Sequence, residues 1–158
     1  DVKSDIAYYA GFEPDRENYK ELERTVRKQT NLEYSLYPYA LCDEKRALFF
    51  NMLGSTASSV ENEDSNNRLA VTGMPLDEIE FSIIPSHIKM DIEGEEYNAL
   101  LGANKLIREH KPALAICIYH RPEDIYDIIK LIDGWNLGYK FEMRVYEDVG
   151  VDLVLYAV

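Results

Sequence analysis

The sequence predicts an α/β domain built on a mainly parallel sheet and closed by an antiparallel hairpin, and three observations carry that prediction. Apolar runs alternate with helix-period stretches at 6–29, 87–110 and 112–135, the rhythm of βα units. The run PALAICIYH at 112–120 is almost free of polar residues, as expected of a strand covered on both faces. In YKFEMRVY, Tyr139, Phe141, Met143 and Val145 alternate with polar neighbours, and after the turn EDVG the run VDLVLYAV returns, the pattern of a half-exposed antiparallel pair.

The elements follow in order. IAYYAGFE (6–13) reads as a strand ended by Pro14 and Asp15. Asp15 is placed to cap a helix over 16–29, where Tyr19, Leu22 and Val26 share one face. A second strand spans 32–42, interrupted by Pro38. Residues 43–81 break the rhythm and read as an irregular insertion, with short strands at RALFFNM and RLAVTGMP around the polar stretch 54–67. HIKMDI (87–92) is a strand and 95–110 a helix, with Tyr97, Leu100, Leu101 and Ile107 on one face and Lys111-Pro112 as its stop. A last helix starts at Pro122 and carries Ile125, Ile128, Ile129, Ile132 and Trp135 at helical spacing.

With 158 residues, 46% of them hydrophobic, the chain reads as a single globular domain over 1–158. The net charge of −12 repels phosphate backbones and anionic lipid, which argues against nucleic-acid and membrane partners. No run approaches the roughly 18–20 apolar residues of a membrane span. Cys42 and Cys117 show neither disulfide nor zinc spacing, which fits a reducing cytoplasm.

In an open parallel α/β sheet, ligands bind beyond the carboxyl ends of the strands. Those ends here are Glu13, Leu41 to Asp43, Asp91 with Glu93, and His120. Glu13 stands where an acid can accept bonds from ribose hydroxyls, or simply where a helix start favours an acid. Asp91 lies among Ile88, Met90 and Ile92, so it needs a partner or a function. Asp91 and Glu93 share one side if the strand persists, Gly94 turns the chain, and Glu95 and Glu96 read as ordinary first-turn acids. His120 ends the most apolar strand and can serve as a general base. DIEGEE lacks the alternating ligands of a calcium loop, and Lys89 offers neutralisation nearby, so no metal ligands are assigned; magnesium held jointly with a substrate stays open. Ser55, Ser58 and Ser59 have no nucleophile-elbow context.

Several stretches together resemble the FkbM-type family of S-adenosylmethionine-dependent methyltransferases: YYAGFEPDRENYKEL (8–22), YALCDEKRALFF (39–50), TASSV (56–60) and, most specifically, HIKMDIEGEEYNALLGANKLIREHKPALAICIYHRPED (87–124). The resemblance implies a class I methyltransferase (Rossmann-like) three-layer sandwich and methyl transfer to a sugar or small-molecule hydroxyl. S-adenosylmethionine would be its cofactor. It places Glu13 on the ribose, Ala40 near the adenine, Asp91 and Glu93 beside the transferred methyl, and His120 close by as the first candidate for the base.

The family's first strand and glycine-rich turn would precede Glu13, where only VKSDIAYYAG stands, and no GxG occurs. The expectation is an N-terminally truncated domain whose exposed sheet edge favours a homodimer. Two further readings compete: a non-catalytic binding or oligomerisation module, and a magnesium-assisted enzyme acting on a nucleotide-sugar-like ligand.

Overall fold

Tyr8–Phe12 forms β1 and Arg16–Arg27 forms α1. Asp15 caps that helix as its position predicts, its Oδ1 accepting from the amides of Glu17 and Asn18, both at 2.9 Å. In this computed structural model residues 6–51, 68–146 and 152–158 are described. The polar stretch 54–67 with Ser55, Ser58 and Ser59, and the turn EDVG, lie outside the described residues.

Pro38 divides the expected second strand into β2 (Glu33–Tyr37) and β3 (Ala40–Leu41). The two halves go to different sheets, β2 running parallel to β1 and β3 parallel to β5 (Arg68–Met74). β4 (Arg46–Asn51) pairs antiparallel with β5, so the described part of the insertion is an ordered strand pair. The third sheet has the order β6-β7-β9-β8, built from His87–Met90, Ala113–Cys117, Leu153–Ala157 and Phe141–Val145. β6 and β7 are parallel, while β9 runs antiparallel to both β7 and β8.

The sheets are therefore mixed, which corrects the mainly parallel expectation. The physical reason is local. The insertion folds back on itself as β4 and β5, and β9 inserts between β7 and β8, so the apolar β7 gains a parallel neighbour on one side and an antiparallel one on the other.

The core lies in the second half of the chain. Met90, Leu100, Ile107, Ile116, Ile128 and Leu155 are essentially sealed from solvent. The side chains come from the third sheet and from α2 (Glu96–Leu101), α3 (Asn104–His110) and α4 (Asp124–Gly134). Burying one such side chain contributes about 1.5–3 kcal/mol. By contrast α1 buries only Val26.

The expected helix at 95–110 is two helices, and the cause lies outside it. The Gly102 carbonyl accepts from the Asp77 amide at 2.8 Å, and the Asp77 carboxylate accepts from Lys105 and Leu106 amides at 2.9 Å. Asp77 thus caps α3 from a 3-10 turn at Leu76–Glu78. At Gly102 a Cβ would overlap the Cys42 carbonyl oxygen, so only glycine lets α2 stand this close to the end of β3. Leu101, expected on the apolar face, is turned outward instead. The last helix begins at Asp124 rather than Pro122. In β8, Met143 and Val145 are exposed where burial was expected, because β8 is the outer strand, paired by β9 alone. No helix among the described residues is long and apolar enough to cross a membrane.

Candidate active site

The tips of β6 and β7 lie side by side because the strands are parallel neighbours, with Met90 opposite Ile116. The chain leaving β6 turns sharply: Glu93 adopts φ 60° and Gly94 φ 94°. The strand ends at Met90, so the expected period-two pairing of Asp91 and Glu93 does not hold. The left-handed turn replaces it. A non-glycine residue in this region costs roughly 1–2 kcal/mol, and at Gly94 a Cβ would also meet Arg121 Nε at 3.0 Å.

The turn brings three acids onto one histidine. His120 Nε2 lies 3.5 Å from Glu93 Oε2 and 3.7 Å from Asp91 Oδ1, while Nδ1 on the opposite side of the ring lies 3.0 Å from Glu96 Oε1. The His120 side chain is only 11% exposed, Asp91 and Glu93 are each 38% exposed, and Glu96 is fully buried. The cluster is graded from a buried acid, through the imidazole, to two acids at the rim.

Asp91 is not the buried carboxylate the sequence implies. It reaches outward, where Lys89 Nζ stands 3.6 Å from Oδ2 and the Tyr119 hydroxyl donates to Oδ1 at 3.2 Å. The Tyr119 ring also tilts over His120, with centroids 4.1 Å apart. Burial, and then the Asp91 charge, push the Tyr119 phenol well above its ordinary value. The same two causes lift the Cys117 thiol to about 12, which keeps it a neutral core residue.

The acids that read as helix-start ornament are the buried ones. Glu95 pairs with Arg121 at 2.9 Å and accepts from Asn98, while Glu96 accepts from the Ile92 amide at 2.8 Å. Neither caps α2 through its side chain. Asp124 is also buried, and desolvation followed by the Glu96 charge raises its carboxyl. Tyr119, Arg121, Glu95 and Glu96 were thus not singled out as functional by sequence reasoning. The available signal was an excess of acids over the amides that one helix start can use.

Glu13 and Ala40 belong to other surroundings. Glu13 Oε1 accepts from the Asp15 amide at 2.8 Å, and burial raises its carboxyl above the ordinary value. Near it Phe12 stacks on Tyr37 at 4.8 Å and meets Phe81 edge-on. Ala40 is buried with Cys42 and Leu48. Among the described residues no hydrogen bond or ion pair joins Glu13 or Ala40 to the His120 cluster. Asp91, Glu96 and His120 offer ligand atoms within 4.8 Å of one another. Within that group Glu96 lies nearer Nδ1 and Asp91 nearer Nε2 of the same ring.

Acids and a histidine thus stand at the carboxyl ends of adjacent parallel strands, the edge at which open α/β sheets commonly bind ligands. The particular family is shown by comparison: residues 4–141 match the Methyltransferase FkbM domain, and the chain belongs to that family. The crystal structure of methyltransferase FkbM from Methylobacillus flagellatus KT is similar with a TM-score of 0.77 and 28% sequence identity. The similarity covers 96% of this chain and 36% of that one, so the chain spans about a third of that protein's length. No curated protein matches it.

Proposed function

We propose that this chain is part of an S-adenosylmethionine-dependent O-methyltransferase acting on the hydroxyl of a small molecule or sugar. The observation that carries the reading is the position of His120 Nε2, held at the strand rim between Glu93 and Asp91 at 3.5 and 3.7 Å. Family membership supplies the reaction class.

S-adenosylmethionine supplies, when bound, a methyl group on a sulfonium cation. The residues fit such a group. Glu13 spends Oε1 on the Asp15 amide, and among the described residues no protein donor bonds its other oxygen, which suits a ribose hydroxyl. Ala40, at the end of β3, would lie near the adenine. Asp91 and Glu93 set negative charge at the rim, which would favour a cation bound there. His120 would take the acceptor's hydroxyl proton on Nε2, with Asp91 as the second candidate for that role. The net charge of −12 favours small acceptors over nucleic acid or membrane surfaces.

Calorimetry with S-adenosylhomocysteine tests the reading. Binding that disappears in Glu13→Ala supports it. Absence of binding both by this chain and by a longer parent chain containing it overturns it. A second reading rests on β1 and β6, each of which pairs on one side only among the described residues. Free strand edges suit a homodimer joined edge to edge, which light scattering across a concentration series would reveal as a mass twice the 18.3 kDa of one chain.

A further inference from the structure

We infer that Glu96 is a positioning residue: its buried carboxylate selects the His120 tautomer that carries its proton on Nδ1 and leaves Nε2 bare toward the rim. The inference rests on the reading of His120 as the proton acceptor, because only a bare Nε2 can take a proton there.

Glu96 is fully buried, and its Oε1 lies 3.0 Å from His120 Nδ1. An ionised carboxylate accepts and cannot donate, whereas a neutral imidazole has one donor and one acceptor nitrogen. A carboxylate beside Nδ1 therefore favours the proton on that nitrogen. Its helix position does not account for the acid. Glu96 opens α2 but bonds backward to the Ile92 amide rather than forward to the helix's own amides, and burying an acid without compensation is costly.

The same oxygen that receives Ile92 faces the ring, so the strand-to-helix turn itself sets the carboxylate's position. The contact is close but not yet well directed: His120 Nδ1 and Glu96 Oε2 are both buried without an aligned hydrogen-bond partner. Catalytic hydrogen bonds commonly tighten only once a site fills. On the far side of the ring Asp91 and Glu93 stand further off, at 3.7 and 3.5 Å, and are more exposed. The inner acid is thus the nearest of the three to the ring and the most shielded from solvent.

Nitrogen-15 NMR of the histidine-labelled chain near neutral pH reads the tautomer directly, with His120 assigned through His120→Gln. The expected result is a protonated Nδ1 and a bare Nε2. Glu96→Met should convert this to a mixture, and Glu96→Gln, which keeps an accepting oxygen, should restore it. A proton on Nε2 in the native chain, or an unchanged tautomer in folded Glu96→Met, would overturn the inference. Should Glu96→Met not fold, the double variant Asp91→Asn, Glu93→Gln decides: an unchanged tautomer supports Glu96, and a switched one assigns the choice to the rim acids. No cofactor or acceptor enters the measurement, so its outcome is separate from the calorimetric test of methyl transfer.

Discussion

Two strand-to-helix turns in this protein are rich in acids, and they spend them differently. After β1, Glu13 and Asp15 bond the turn's own amides: Glu13 takes Asp15, and Asp15 takes Glu17 and Asn18. After β6, Glu96 reaches back to Ile92 and to His120, and Glu95 goes to Arg121. Helix-start preference accounts for the first turn. It does not account for the second, where two acids are buried against neighbouring strands and loops. An acid's place in the sequence is therefore less informative than whether local amides have already claimed it.

The contrast can be broken most severely at Gly102, which lets α2 close on β3 and so holds the second turn in place. Gly102→Ala drives a Cβ into the Cys42 carbonyl and should cost about 3 kcal/mol, seen as an earlier urea midpoint. Gly94→Ala tests the turn itself. With φ at 94° and Arg121 against the new methyl, a loss of about 2 kcal/mol is expected. In the first turn, Asp15→Ala removes only a cap and should cost about 1 kcal/mol, with α1 amides exchanging faster than those of α4.

The smallest effect sharpens the comparison through pH. Burial raises Glu13 in the first turn, and burial followed by the Glu96 charge raises Asp124 beside the second. A raised acid takes up protons on folding at pH values above its ordinary value, 3.8 for Asp124 and 4.5 for Glu13. Stability is therefore greatest below that value and falls as pH climbs through the raised one. Asp124→Asn and Glu13→Gln should each flatten the fall in a melting-temperature series. An unchanged slope in Asp124→Asn would show that its carboxyl does not titrate differently on folding.

What could be read from the sequence was local. The Asp15 cap, the apolar β7, and the gathering of Asp91, Glu93 and His120 at the tips of β6 and β7 follow from neighbouring residues and strand polarity. The division at Pro38 was visible, but the separate destinations of β2 and β3 were not, because pairing partners are chosen across the fold. Glu96 reads as an ordinary first-turn acid because the rule for helix starts describes such a residue well. Its burial comes with a tertiary contact, to His120 beyond the end of β7. The two-helix form of 95–110 was hidden for the same reason: the apolar period runs on through Gly102, and the residue that interrupts it is Asp77.

That last link reaches beyond packing to the order in which the chain can organise. Asp77 and the amides it receives are 28 and 29 residues apart, so the first turn of α3 stays open until the segment around Leu76 has docked. The amides of Lys105 and Leu106 therefore act as a latch indicator. Their protection from hydrogen exchange reports whether two distant stretches have met, rather than whether a helix has formed.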